Sequence, residues 1–205
     1  MFAHRSIDFF DEQFRRQLQS GDLELNPFER LALPHLRGDV LDYGCGLGNL
    51  AVQAARLGCR VLALDASPVA IAHLQALARR EALAIEARVT DLRHHVLTKR
   101  FDTVVCIGLL MFFDCAAALA QLEQLKAQVR AGGVAVVNVL TDGTTYLDMF
   151  DPGGYCLFRQ TELREHFDGW ELLEQRVQAF DAPGGTRKVF ATVVARRAQA
   201  TAVEL

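Results

Sequence analysis

The chain has 205 residues, 51% of them hydrophobic and 23% charged, with a net charge of −3. That is enough apolar material for one domain with a proper core, and it excludes disorder over most of the length. The small net charge and scattered basic residues leave no electrostatic case for nucleic acid or an acidic membrane as an obligatory partner. The opening MFAHRSIDFF has no long apolar core behind its charge, so no secretory signal is expected. No apolar run approaches the ~18 residues of a membrane span. Cys45, Cys59, Cys106, Cys115 and Cys156 form an odd set without a C-x-x-C pair, so neither structural zinc nor a disulfide framework is expected. The expectation is a cytoplasmic protein, monomer or homodimer, that holds no metal.

In chain order, residues 5–19 carry Phe9, Phe10, Phe14 and Leu18 along one side of a helix. SGDLELNP interrupts it, and Pro27 opens a second helix over residues 27–36. DVLDYG is a strand ending in glycine, followed by a helix over residues 49–57 that Gly58 closes. CRVLALD is a second strand ending on Asp65, and Ser67-Pro68 gives the next helix its N-cap and first-turn proline. AIEARV and FDTVVCIG are the third and fourth strands, the latter nearly all apolar as a central parallel strand is. A helix over residues 114–130 turns at Gly132-Gly133 into the strand VAVVNVL. GWELLEQRVQAF and RKVFATVVARR, joined by DAPGGT, read as a closing hairpin. Strands alternating with helices predict an α/β fold with a parallel sheet covered on both faces, ending in an antiparallel pair.

The stretch LDYGCGLGN carries the chemistry. A doubly wound sheet binds ligands at the carboxyl ends of its strands where strand order reverses, and the first strand supplies that place. Gly44 permits a tight turn, Gly46 lets the backbone approach a ligand, and Gly48 allows close contact where the helix starts. The dinucleotide fingerprint is G-x-G-x-x-G; here the third glycine comes one residue early and Asn49 stands at its usual place. Asp42, two residues before the first glycine, would repel a pyrophosphate but is well placed for the ammonium of a methionine moiety. Asp65 at the end of the second strand can accept from both ribose hydroxyls. Asp91 after the third can accept from an adenine amino group while Leu92 covers the ring. Taken singly, each of these aspartates also reads as a strand-end cap. The ordered set Asp42, Gly44, Gly46, Gly48, Asp65 and Asp91 favours S-adenosylmethionine (SAM) over a nicotinamide dinucleotide. A nicotinamide oxidoreductase and a non-catalytic SAM sensor stay as alternatives.

Over residues 39–140 these motifs resemble the class I SAM-dependent methyltransferases. VLDYGCGLGN is similar to their first motif, Asp65 to their ribose acid, Asp91 to their adenine contact, and FDTVVCIGLLMFF to their fourth-strand motif. The resemblance implies a three-layer Rossmann-like fold, a sheet of order 3-2-1-4-5-7-6 with the seventh strand antiparallel, and backbone contacts to the methionine end at Ile107 and Gly108. It implies cofactor contacts at Cys45, Ala66 and Phe112 as well. Leu110-Met111-Phe112, TELREHFDGWELLE and VFATVVARR further resemble the bacterial tellurite-resistance (TehB-type) methyltransferases. Before the last strand, where that family has a His-Arg pair, the loop reads QAFDAPGGTRK, with Arg187 and Lys188 as its basic residues.

Methyl transfer from a sulfonium is an in-line displacement, so the first requirement is alignment of a small-molecule acceptor. Aromatic walls can add cation–π stabilisation; Phe112, Phe113, Phe150, Tyr155 and Phe158 are the candidates, with core packing as the other reading of each. His4, Phe9 and Phe10 lie in an N-terminal segment that can fold over the pocket. Arg159 either pairs an anionic acceptor or caps the following helix. No histidine can be named as a general base; His73 and His166 are expected to face solvent. The organisation expected is a helical cap over residues 1–37 and a cofactor-binding domain over 38–205, with a lid-like insertion at about 141–159.

Overall fold

The computed structural model describes residues 5–199. Seven strands form one sheet: β1 (Asp39–Tyr43), β2 (Arg60–Asp65), β3 (Ile85–Val89), β4 (Phe101–Ile107), β5 (Val129–Leu140), β6 (Glu171–Ala182) and β7 (Thr186–Arg196). Their order is β3-β2-β1-β4-β5-β7-β6, as the resemblance implies. Strands β1 to β5 pair in parallel, while β7 runs antiparallel to both β5 and β6. The helices are α1 (Arg5–Ser20), α2 (Pro27–Ala32), α3 (Asn49–Arg56), α4 (Pro68–Arg80), α5 (Cys115–Ala127) and a single turn, α6 (Glu162–Glu165).

Local chemistry sets three of the helix starts. Asn26 accepts the N–H groups of Phe28 and Glu29, and Glu29 returns a carboxylate to the Asn26 N–H, a capping box with Pro27 in the first turn. Ser67 caps α4 through the Ala70 N–H at 3.0 Å, and Asp114 caps α5 through the Ala117 N–H at 2.9 Å. Two ends differ from expectation. The second helix stops at Ala32 and continues as a 3₁₀ turn over Leu33–His35, because Pro34 has no N–H to continue an α ladder. Helix α5 ends at Ala127 rather than at Arg130, because Val129 is already paired with Phe101. The fifth strand therefore absorbs Gly132-Gly133, and its register shifts between Phe101 and Thr103.

Buried side chains gather on both sheet faces. Leu122 and Leu125 of α5 pack with Val104, Val137 and Val193 on one side. On the other, Leu50, Ala51, Ile71 and Leu74 of α3 and α4 pack with Val40, Val61 and Val136. Truncating one such leucine to alanine costs about 2–5 kcal/mol. The sheet reverses direction between β1 and β4, and the loops above those strands form the floor of the site.

One expectation is overturned by the return path of the chain. Cys115 and Cys156 form a disulfide, with Cα atoms 4.7 Å apart, although no disulfide was expected from spacing. The loop after β5 folds back on the turn after β4, where the Cys156 N–H donates to the Met111 carbonyl at 3.0 Å. That contact brings together two cysteines 41 positions apart. Cys45, Cys59 and Cys106 are free and buried.

Candidate active site

A cavity of about 520 Å³ lies over the carboxyl ends of β2, β1, β4 and β5 and the amino end of the antiparallel β7, under α1. Its first half is built on the glycine loop. The N–H groups of Gly44 and Cys45 both donate to the Leu64 carbonyl, at 2.8 and 3.0 Å, which docks the loop on the end of β2. Gly46 and Gly48 have φ of +52° and +76°, the left-handed region. A Cβ on Gly48 would stand 2.5 Å from the Leu74 side chain, and one on Gly46 would stand 3.2 Å from the Phe14 ring. The loop is thus fixed by backbone geometry and by close packing together.

Glu24 and Glu29 line the cavity, and so do three aspartates of this half. Asp65 accepts the Gly46 N–H through Oδ2 and the Ser67 N–H through Oδ1, both at 2.8 Å, and each oxygen keeps a further lone pair. Asp42 is 5% exposed and makes no side-chain hydrogen bond among the described residues. Burial, with the neighbouring charges of Glu29 and Asp65, pushes its carboxyl up to about 8. Asp91 stands differently. Burial raises it, but the backbone N–H and guanidinium of Arg93 and the His94 ring outweigh that and hold it below the usual carboxylate range. Leu92, Ile107, Gly108 and Ala66 complete the lining of this half. A cradle without Cβ atoms, an unpartnered buried carboxyl and a strand-end carboxylate with free lone pairs fit the methionine and ribose parts of SAM.

The second half, over β5 and β7, is walled by rings. Phe10 of α1 meets Phe112 edge-on at 5.1 Å, and Phe28 of α2 lies 4.7 Å from Phe190 of β7. Phe9, Phe113, Met111 and Met149 also line the space. Two polar groups reach into it. Asn138 of β5 is fully buried; its Nδ2 donates to Thr192 Oγ1 at 2.8 Å and its Oδ1 has no partner. Lys188 of β7 holds its ammonium 4.7 Å from the Tyr146 ring centroid. It has no carboxylate partner among the described residues, and burial pushes its pKa down.

Most of the residues expected at the site line this cavity: Asp42, Gly44, Cys45, Gly46 and Gly48; Asp65, Ala66, Asp91 and Leu92; Ile107, Gly108, Phe112 and Phe113; Phe9 and Phe10. Three do not. Phe158 is fully buried in the core with Leu163 and Phe167, because its backbone bridges to Thr141 and turns its ring inward. Tyr155 stacks on Phe150 at 4.7 Å, behind Phe112. Arg159 points away, pairing with Glu162 and Glu165, so its role is at the start of α6. His4 lies outside the described residues. His166 is not free in solvent but pairs with Glu123 at 3.2 Å, and no histidine lines the cavity among the described residues.

Several lining residues were not singled out beforehand. Phe14 follows Phe10 by one helical turn, so helix periodicity already carried that signal. Asn138 is the one polar residue in VAVVNVL, and that isolation in an apolar strand is its signal. Phe28 and Phe190 come from opposite ends of the chain, and nothing local marks them.

The family described as "Tellurite resistance protein TehB" matches residues 7–181. The chain belongs to this family. The probable S-adenosyl-L-methionine-dependent methyltransferase TehB of Haemophilus influenzae is 27% identical over 165 residues, 77% of this chain and 57% of that protein. Hemagglutinin 1 of Eikenella corrodens is 28% identical over 164 residues, 77% of this chain and 54% of its own length. The crystal structure of TehB from Haemophilus influenzae superposes with a TM-score of 0.72 at 23% identity, covering 84% of this chain and 62% of that one. The fold of this TehB-family chain is the Rossmann-like fold of the class I methyltransferases. The chain spans little more than half the length of the curated relatives it matches.

Proposed function

We propose that this chain is a SAM-dependent methyltransferase acting on a small-molecule acceptor. The observation that carries the reading is one continuous cavity whose β2-β1-β4 half fits SAM and whose β5-β7 half is an aromatic pocket. In this reading Asp65 accepts from the ribose hydroxyls, Asp42 faces the ammonium, and Asp91 with Leu92 holds the adenine. The Gly44, Gly46 and Gly48 backbone, with Cys45 and Ala66, follows the middle of the molecule, while Ile107, Gly108 and Phe112 bound its methionine end. When bound, SAM supplies an electrophilic methyl group on a sulfonium. The protein's own part is to align the acceptor, exclude water with α1 and its phenylalanines, and place ring faces near the positive sulfur. Alignment of this kind is worth up to ~7–11 kcal/mol, and each ring face about 0.5–2 kcal/mol.

Residues 1–37 serve in this proposal as the cap and 141–159 as a lid-like insertion on a domain of residues 38–205. Support for the cap comes from α1, which lies across the glycine loop, and from Ser67 Oγ, which donates to Asp11 and ties α1 to the start of α4. The proposal includes a monomer or homodimer in the cytoplasm, and the net charge of −3 supports its having neither nucleic acid nor an acidic membrane as partner. In addition, no helix among the described residues is long and apolar enough to cross a membrane.

Calorimetry tests the reading. S-adenosylhomocysteine should bind and NAD(H) should not, and Asp65→Ala should weaken binding by about tenfold or more, the loss of charge-assisted hydrogen bonds. Binding of NAD(H) alone would remove the proposal. Release of S-adenosylhomocysteine from SAM with an acceptor panel separates an enzyme from a sensor, since a sensor turns over none of them.

A further inference from the structure

The β5-β7 half of the cavity has a chemistry of its own, and it differs from what an inorganic oxyanion needs. Along β5, Asn138 and Leu140 are two residues apart and so project from the same sheet face. On β7 the partners in register are Thr192 and Phe190, and Lys188 continues that face toward the rim. One strip therefore presents, in order, a fully buried amide with an unpartnered oxygen, an apolar floor of Leu140 and Phe190, and an ammonium. Phe28 packs on Phe190 from above the floor, and Met149 closes the side. The slot is flat-walled and apolar in the middle with a cation at its outer end.

Lys188 is held there without being neutralised. Tyr146 stabilises the ammonium through its ring face at 4.7 Å, and Tyr146 is itself fixed by donating its N–H to the Arg187 carbonyl at 3.2 Å. Arg187, the other basic residue of the loop, turns outward and donates Nε to the Gly143 carbonyl at 3.0 Å. Only one of the two cations thus reaches the cavity. A half-buried ammonium without a carboxylate partner is unfavourable unless an anion arrives to meet it.

We infer that this slot is the acceptor subsite and that it selects an aromatic acceptor carrying a carboxylate, which Lys188 pairs while the ring lies between Phe28, Phe190 and Leu140. The inference rests on the reading of the other half as the SAM site. Gly108, at the end of β4, and Lys188, on β7, are two strand spacings apart across the sheet and three residues apart along it, ~14 Å between Cα atoms. One benzene ring with para substituents bridges that span together with the lysine stem. Because no histidine lines the cavity among the described residues, the acceptor atom best suited is one already ionised near neutrality, such as an aryl thiolate. Its sulfur lone pair forms the new S–CH₃ bond, the sulfonium C–S bond breaks, and that electron pair stays on the cofactor sulfur. The thiolate charge is thereby consumed and no proton moves.

The test uses the methylated product and a neutral analogue as binding probes. The protein saturated with S-adenosylhomocysteine is titrated calorimetrically with 4-(methylthio)benzoate and with 4-(methylthio)benzamide. The wild type should bind the carboxylate about tenfold or more tighter than the amide, the scale of a charge-assisted hydrogen bond. Lys188→Met should abolish that difference and leave the amide unaffected, while Lys188→Arg should retain it. Equal affinity for the two probes in the wild type overturns the inference without recourse to any variant. So does binding of neither probe, or a carboxylate preference that survives Lys188→Met. If S-adenosylhomocysteine itself does not bind, the methyltransferase reading falls and takes this inference with it. If it binds and the probes are not distinguished, only the inference falls.

Discussion

Asp42 shows how a single side chain can report on the site. Its carboxyl is raised to about 8 from an ordinary 3.8 by burial, then by Glu29 and Asp65, so at neutral pH the folded chain by itself holds it as a neutral acid. Between those two values the folded protein keeps a proton that the unfolded chain has lost. This group's contribution to the stability of the free protein is therefore complete below pH 3.8 and is lost as pH rises through about 8. An ammonium brought beside it favours the carboxylate, so cofactor binding should release a proton at pH 7, and affinity should increase as pH rises from 6 toward 8. Calorimetry of S-adenosylhomocysteine binding in buffers of different ionisation enthalpy reads that proton directly. Asp42→Asn should flatten the slope; a slope unchanged in that variant would assign the proton to another group. The position of Asp42 ahead of the glycines was legible in the sequence. Its lack of a partner was not, because that depends on Glu29 and Asp65 arriving from other elements.

Among the elements, the loop over residues 141–159, proposed above as a lid-like insertion, is tied at both ends and in the middle. Thr141 bridges to Phe158, Thr145 and Tyr146 donate to the Arg187 carbonyl, and Cys156 is joined to Cys115 at the start of α5. The cross-link spans 41 positions, which the chain-entropy account values at about 4 kcal/mol. Under oxidising conditions Cys156→Ser should lower the unfolding midpoint by roughly 10 °C, at ~2–4 °C per kcal/mol for a chain of this size. Reductant should erase the difference between the two proteins, as a reducing cytoplasm would. A midpoint insensitive to both the substitution and the reductant would show that the loop's backbone bonds suffice. The same element explains the misplaced aromatics: once Phe158 bridges to Thr141, its ring belongs to the core, and Tyr155 is left to stack on Phe150.

At the scale of the whole molecule, the site is a property of sheet order. Asp65 on β2 and Lys188 on β7 stand four strands apart, and the cavity joins them only because β1, β4 and β5 lie between. A ligand seated across the reversal between β1 and β4 touches elements from both halves of the chain, so it should stabilise the fold as a unit. At a hundredfold excess over Kd, linkage gives about 2.7 kcal/mol, or a midpoint raised by roughly 5–11 °C. A scan with and without S-adenosylhomocysteine measures it. No shift at saturating ligand would exclude binding to the folded chain.

The sequence by itself determined the α/β alternation, the sheet's antiparallel close and the lining of the cavity over β2, β1 and β4. Those features rest on short-range signals: apolar runs of strand length, caps at Ser67 and Asp114, and three glycines set between Asp42 and Asp65. Each of these residues acts within a few positions of its neighbours, so spacing along the chain stands for distance in space. Only the tertiary structure decided the other half. Phe28 meets Phe190, Cys115 meets Cys156, and Lys188 rather than Arg187 turns into the cavity. Those meetings follow from strand register and from the return path of one long loop, both set by collective burial of the core rather than by local sequence pattern.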